Sequence, residues 1–397
     1  MKKKIFWLVI LIIGFSLLGA DVEKSAARKN EESFYKELEL FTNVVSIIKN
    51  NYVSEVKAKP LIYGALRGML SSLDPYSQFM NPDFHKEIQI ETEGKFGGLG
   101  IVITIKETFL TVVSPLEGTP ADRAGIKPGD KIVKIDDELI RGITIMDAAK
   151  KLRGKKGTSV KLEIVREKSP RTLKFTIVRD IIKIKSIKNA HFIPDTKIGY
   201  IRIVEFQKRT ANDLRTSLQK LEKEGLKGLI LDLRNNPGGL LDSAIDVADE
   251  FIKENKLVVY TEGRSPKEKR NYYSKRAPIL PGEVPLVILI NKGSASASEI
   301  VVGAVQDWER GTILGTTSFG KGSVQNVIPL PDGSALKLTI AKYYTPKGVC
   351  IEGKGIKPDI IVELPELKEG EEIKDLQLER AIEFLKKKKV NGKVVQK

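Results

Sequence analysis

Histidine and cysteine are nearly missing from this 397-residue chain, which holds only His85 and His191 of the first and Cys350 of the second. A zinc centre of the usual ligand spacing needs three or four such residues close together, so no metal site of that kind is expected. One cysteine cannot close an internal disulfide. Neither histidine lies near a Gly/Ser turn, which removes the common arrangement where histidine takes the proton of a nucleophilic serine. Acidic residues are also in deficit, with 51 Asp and Glu against 67 Lys and Arg and a net charge of +16. Such an excess can serve nucleic acid, anionic lipid or an acidic partner. Here the basic residues are dispersed apart from Lys2 to Lys4 and Lys386 to Lys389, and no aromatic-studded basic motif accompanies them. No nucleic-acid binding is expected, and the charge reads as solvated surface.

With 41% apolar content the chain can bury substantial cores, and its length suggests two or three domains. At the amino terminus, Lys2-Lys3-Lys4 precedes an apolar stretch from Ile5 to Leu18. This is the charged n-region and short h-region of a secretory signal, shorter than the ~20 residues of a comfortable membrane span. Leu18-Gly19-Ala20 is an imperfect cleavage site, so residues 1–20 are a signal peptide or a membrane anchor, with both readings open. Export to the periplasm or the outer face of the cytoplasmic membrane is expected. No cysteine follows to carry a lipid.

From Asp21 to Gly94 the pattern is helical. Phe34, Leu38, Phe41, Val45 and Ile48 recur at three and four, Leu61, Ala65, Gly68 and Met69 begin a second helix, and Asp74-Pro75-Tyr76-Ser77 makes a turn. This region carries no evident chemistry and reads as a packing or oligomerisation module, which leaves a homo-oligomer open. Strand-like runs follow at Ile101 to Ile105 and Leu110 to Val113. Gly118-Thr-Pro-Ala-Asp-Arg-Ala-Gly-Ile-Lys-Pro-Gly-Asp130 and Ile132-Val-Lys-Ile-Asp136 then closely resemble a PDZ domain over residues 95–180. Such domains pair an extended peptide with a sheet edge and hold its terminal carboxylate on backbone N–H groups. Phe96, Gly97, Gly98, Leu99, Gly100 and Ile101 would supply that loop and the strand leaving it.

After Ile181 the chain reads as an α/β domain, with strands at Ile198 to Ile203 and Leu226 to Leu231 and a helix from about Asn212 to Glu224 between them. The second strand ends in Asp232-Leu-Arg-Asn-Asn-Pro-Gly-Gly-Leu240, whose Gly-Gly turn exposes backbone N–H groups of the kind an oxyanion hole requires. Val284 to Asn291 is a buried strand, and Gly293-Ser-Ala-Ser-Ala-Ser-Glu299 leads into a helix from Glu299 to Glu309. Strand, sharp turn and helix form a nucleophile-elbow arrangement, although the Ser-x-x-Glu spacing at Ser296 also fits a capping box. Spacing alone does not choose among Ser294, Ser296 and Ser298. A strand at Thr312 to Gly315 leads to Gly320-Lys321-Gly322 and a further strand from Val327 to Leu330. A phosphate-binding loop would have Ser or Thr where Gly322 stands and a helix after it, so ATPase or GTPase activity is not expected. Without a usable histidine, a serine hydrolase built from these parts must take lysine as its base.

Together these elements resemble the carboxyl-terminal processing proteases, or tail-specific proteases, from the amino-terminal helices to Lys357-Pro-Asp359. The resemblance implies Ser296 as nucleophile in the Gly-Ser-Ala-Ser-Ala-Ser-Glu segment, Lys321 as general base in Phe-Gly-Lys-Gly, and Gln325 as the residue that orients the base. It implies oxyanion donors at Ala297 and at Gly238 or Gly239. Tyr76 stands where relatives often have histidine, and Val302 replaces a common alanine. The fold class is then a multidomain α/β protein. An amino-terminal helical region spans 21–94, a β-rich PDZ-like domain 95–180, an α/β serine protease core 181–365, and a carboxyl-terminal helix with a basic tail 366–397. The implied function is a serine endopeptidase that cleaves protein or peptide substrates near the carboxyl tails by which they are bound, without metal or organic cofactor. A non-catalytic PDZ adaptor that binds carboxyl termini is the alternative.

Overall fold

The computed structural model describes residues 33–167, 169, 171–363 and 374–390; residues 1–20, expected to be a signal peptide or a membrane anchor, and the last residues of the basic tail lie outside them. The chain divides into two units, Met1–Leu73 and Asp74–Lys397. In the first, α1 covers residues 33–51 and α2 covers Ala58–Ser71. The apolar periodicity forms the expected helix, but Phe34, Leu38 and Phe41 remain exposed. Periodicity reports which residues share a face, not what covers that face.

The unit boundary falls inside the expected helical region, because Asp74 to Gly94 has its partners further along the chain. Strand β1 (Gln78–Met80) pairs antiparallel with a strand at Ala335–Tyr344, and α3 (Pro82–Glu93) follows with Asn81 as its N-cap. Next come β2 (Lys95–Gly98), β3 (Ile101–Lys106), β4 (Phe109–Pro115), α4 (Pro120–Arg123), β5 (Lys131–Ile135), β6 (Glu138–Leu139), α5 (Ile145–Leu152), β7 (Ser159–Val165), β8 (Leu173–Val178) and β9 (Asp180–Lys183). Strands β3-β4-β5-β7-β8 form one antiparallel sheet with β6 beside β5, and β3 lies at its edge. Leu110, Ile132, Val160 and Ile164 are buried at its centre. The turn ending at Asp130 is fixed by a fully buried carboxylate that accepts from Arg166 at 2.7 and 2.8 Å and from the Lys127 N–H at 2.8 Å.

The larger core is built on the sheet β10 (Ile187–Phe192), β11 (Ile198–Ile203), β12 (Gly228–Asp232), β15 (Leu286–Ile290), β16 (Thr312–Gly315) and β19 (Ile360–Ile361), in that spatial order. All neighbours except the β10–β11 pair run parallel. The central strands β12 and β15 are nearly continuous apolar runs, fully buried because both faces are covered, whereas the edge strand β10 is polar and mostly exposed. Leu229, Leu231, Ile288 and Ile290 pack on one side with α6 (Thr210–Lys223), α7 (Leu241–Ala248) and α8 (Ala297–Asp307). Ile230, Val287, Leu289 and Leu314 pack on the other with Ala381 and Leu385 of α9 (Leu376–Val390). Each such fully buried side chain stabilises the fold by roughly 1.5–3 kcal/mol relative to exposure. A second sheet joins β1, β18 (Ala335–Tyr344), β13 (Leu257–Gly263) and β14 (Arg270–Tyr273), with β17 (Ser323–Pro329) on β18.

Candidate active site

Three adjacent parallel strands deliver the three segments singled out by sequence. β12 ends in Asp232 and opens into the Gly-Gly turn, β15 ends in Ile290 before the serine turn, and β16 ends in Gly315 before the lysine turn. Parallel strands that are neighbours in the sheet place their carboxyl-end loops side by side, and ligands of open α/β sheets bind at that edge.

The serine turn is held from below by its own hydroxyls. Ser294 Oγ donates to Leu233 O (2.8 Å) and accepts from the Asn291 N–H (3.0 Å), while Ser298 Oγ donates to Asn236 O (3.0 Å). Both are fully buried. Ser296 lies between them, 8% exposed, and its hydroxyl donates to no other group among the described residues. Its backbone has φ 54° and ψ −114°, a conformation that L-residues adopt only under constraint and that recurs at sharp strand-to-helix turns bearing a nucleophile. Ser296 is also the N-cap of α8, next to the Ala297 N–H, which donates to no acceptor among the described residues, and to the positive end of the helix dipole. Three serines that are equivalent in sequence therefore differ sharply in space.

The Gly-Gly turn packs on this elbow. Asn236, fully buried, donates through Nδ2 to Ile203 O (3.0 Å), accepts at Oδ1 from the Gly238 N–H (2.9 Å), and accepts at its carbonyl from the Ala295 N–H (3.0 Å). Gly238 has φ +105°, and a Cβ there would sit 2.8 Å from the Cβ of Ser296 and 2.9 Å from the Ala297 nitrogen. Gly239 has φ +146°, and its Cβ would strike Phe206 O at 2.2 Å. The Gly238 N–H is committed to Asn236, whereas the Gly239 N–H donates to no acceptor among the described residues.

The lysine turn lies against Ile351 to Gly355. The Gly353 N–H donates to Gly320 O (2.9 Å), and the Gly322 N–H donates to Glu352 Oε2 (2.7 Å). A Cβ at residue 322 would meet the Glu352 nitrogen at 2.2 Å, so close backbone approach requires that glycine. The Phe319 N–H donates to Ser294 O at 2.9 Å, which joins this turn to the serine turn. Burial, aided by Lys337, pushes the Lys321 amine below the ordinary lysine range, against the opposing pull of Glu352 and Glu299. Its Nζ stands 4.9 Å from the centre of the Tyr76 ring, and no hydrogen bond joins it to Ser296 Oγ. Gln325 lies on β17 opposite Thr339 and donates through Nε2 to Ser323 O (3.1 Å) and Ser323 Oγ (2.8 Å), so its amide is not directed to Lys321 in this arrangement.

Phe96 to Ile101 are less of a loop than expected. Phe96, Gly97 and Gly98 belong to β2, paired with Ile182, Ile181 and Asp180 of β9, and only Leu99 and Gly100 bridge to Ile101 on β3. The β2–β9 ribbon forms because β9 follows directly on the last strand of the PDZ-like sheet and returns beside its first residues. A cavity of about 360 Å³ opens between this segment, α3 and α5, lined in part by Phe96, Gly97, Met146 and Gly154. Lys150 pairs with Asp83 (2.7 Å) across it, and Arg153 pairs with Glu87 and stacks 4.6 Å over Phe96.

Ser318, Glu352 and the proximity of Tyr76 to Lys321 have no signal in the sequence. Asn236 is marked only by lying in the Asp232 to Leu240 segment, and Glu299 by the Ser-x-x-Glu spacing, which marks a helix cap and not its reach to the lysine turn.

A Peptidase family S41 model matches residues 197–362, a PDZ domain model matches 111–166, and a model described as the activating protease CtpB N-terminal domain matches 16–84. The carboxy-terminal-processing protease of Bartonella bacilliformis is 44% identical over 368 residues, covering 92% of this chain and 83% of that protein. The carboxy-terminal processing protease CtpA of Bacillus subtilis is 38% identical over 320 residues, covering 80% of this chain and 67% of that protein. Among solved structures, a photosystem II D1 C-terminal processing protease aligns at 30% identity over 79% of this chain and 85% of that chain, with a TM-score of 0.46.

Proposed function

This chain belongs to the carboxy-terminal-processing proteases and is a serine endopeptidase, and we propose that Ser296 is its nucleophile, Lys321 its general base, and the Gly239 and Ala297 N–H groups its oxyanion donors. One observation carries the assignment of the nucleophile. Of the three serines in the turn, Ser296 alone keeps its hydroxyl proton uncommitted, on a strained backbone at a helix amino terminus. The adaptor alternative falls away with family membership.

In the reaction, Lys321 as the neutral amine takes the proton of Ser296 while Oγ attacks the substrate carbonyl, and returns it to the leaving amine. The oxyanion then lies between the uncommitted Gly239 N–H and the first N–H of α8, where fixed donors act without reorganising. Gly238 supports the hole by having no side chain, since a Cβ there would occupy the space beside Ser296. Lys321 reaches the serine by rotation of its own side chain. A neutral amine has no cation–π attraction to Tyr76, so loss of the proton releases it from the ring. Catalytic hydrogen bonds are often formed only once substrate is bound. The oxygen of the Gln325 amide accepts no described hydrogen bond and is the group that receives an N–H from the amine when the lysine turns. Lysine near its ordinary value of ~10.4 is protonated at neutral pH, so the lowering by burial is what makes a base of it.

Substrate arrives by its tail. β3 is an unpaired edge with α5 across from it, which suits strand addition by an extended peptide ending near Leu99 and Gly100. Lys2 to Lys4 followed by the apolar Ile5 to Leu18 support export of the chain. The test is peptide hydrolysis by Ser296→Ala, Lys321→Ala and Ser294→Ala. The first two are expected to be inactive and the third to retain turnover; essential Ser294 with dispensable Ser296 would place the nucleophile wrongly.

A further inference from the structure

We propose that Glu299 is a positioning residue for hydrolysis, its one buried carboxylate holding the serine turn and the lysine turn in fixed relation. The proposal rests on the reading of Ser296 and Lys321 as nucleophile and base. Glu299 is the third residue of α8 and fully buried. Its Oε1 accepts from Ser318 Oγ (2.5 Å) and the Gly320 N–H (2.7 Å), and its Oε2 accepts from the Ser296 N–H (2.8 Å) and the Lys321 N–H (2.9 Å). A carboxylate offers about four lone-pair sites, and all are filled. Ser318 Oγ itself accepts from the Ile356 N–H (2.7 Å), so its proton points to Glu299. Burial pushes the carboxyl above the ordinary carboxylate range, while these donors pull it back by favouring the anion.

A helix cap would need only the bond to Ser296. The other three go to the Ser318 to Lys321 turn, which enters from a different strand of the sheet. The backbone nitrogens of the nucleophile and of the base thus share one oxygen atom as acceptor, and that atom sets their separation. The charge has a second effect, since it lies beside the amine that must lose a proton. The groups facing Lys321 are Lys337 from β18, Glu352 from the segment after β18, Glu299 from α8, and the Tyr76 ring from the turn before β1. Glu299 and Glu352 favour the ammonium form, burial and Lys337 the amine. Glu299 therefore fixes the geometry at some cost in basicity.

The test uses Glu299→Gln and Glu299→Asp in the full chain, with kcat and KM measured against pH on a peptide with a free carboxyl end. Gln keeps the volume but sets an NH2 against two of the four donors. Its kcat is expected to fall about 100-fold, the scale set by a misplacement of about 1 Å, with KM little changed. Its acid limb is expected to move to lower pH, because the anion that favoured the ammonium is gone. Asp keeps the charge but not the reach, so kcat falls while the limb stays in place. Wild-type kcat in a folded Glu299→Gln variant, or a loss of kcat with no movement of the limb, would overturn the proposal. If Gln prevents folding, Ser318→Ala removes one donor and leaves the charge; a lower kcat at constant KM is expected, and an unchanged kcat overturns the proposal. Ser296→Ala and Lys321→Ala are run alongside. Activity in either defeats the dyad itself, whereas two inactive dyad variants beside a wild-type Glu299→Gln defeat only the role of Glu299.

Discussion

The proposed oxyanion site depends closely on one missing side chain, at Gly238. Its φ of +105°, and the 2.8 Å that would separate a Cβ at this position from the Cβ of Ser296, leave no room for alanine. Gly238→Ala is expected to lower kcat by about 10²-fold or more, the scale of losing one oxyanion donor, with backbone strain of roughly 1–3 kcal/mol in a denaturant titration. Near-wild-type turnover would mean that the oxyanion lies elsewhere. The lysine sets the pH response. In the proposed mechanism the active form is the neutral amine, so kcat/KM is expected to rise with pH and level off above the lowered value of Lys321, below the ordinary lysine range. An optimum on the acid side would contradict a lysine base. Tyr76 adds a further check, because its ring favours the ammonium form; Tyr76→Leu is expected to shift the rising limb to lower pH.

Among the elements, α9 is tied to the segment that carries the Gly-Gly turn. Arg234 donates to both oxygens of Asp232 (3.0 and 2.7 Å) and to both of Asp375 (2.7 Å each), and Tyr200 donates to Asp232 at 2.7 Å. Asp375 also caps α9 by accepting from the Leu378 N–H (3.0 Å). Arg234→Ala would leave the fully buried Asp232 without its cation, and a loss of about 3–5 kcal/mol is expected in urea unfolding. Asp375→Ala should cost less, since its carboxylate is partly exposed. Equal stability of wild type and Arg234→Ala would show that the network carries no weight. The same elements show what is legible in the sequence. β11 and β16 have the bounds read from sequence, Ile198 to Ile203 and Thr312 to Gly315, because both are short runs rich in β-branched residues, and α8 can be placed within two residues because a Gly/Ser turn precedes it. The β1–β18 pairing is invisible there, since it joins Gln78 to Lys337 with no local signal. The choice among three serines stays open in sequence for a related reason: hydroxyl partners such as Leu233 O and Asn236 O come from another strand's loop.

At the scale of the whole molecule, a tail-reading sheet and a hydrolytic core share one chain, so recognition and cleavage should be separable. Amidating the carboxyl end of a substrate removes the charge that the backbone N–H groups near Leu99 and Gly100 would hold, and is expected to raise KM and slow cleavage. Equal cleavage of free-acid and amidated peptides would take tail recognition out of the mechanism. The central claim is that one serine, activated by one lysine, carries the chemistry. It is tested most directly by treating the intact protein with a serine-reactive phosphonate and locating the adduct by peptide mass mapping. The expected result is a single adduct on Ser296, absent in Ser296→Ala and formed much more slowly in Lys321→Ala. An adduct on Ser294 or Ser298, or labelling at the wild-type rate without Lys321, would contradict it.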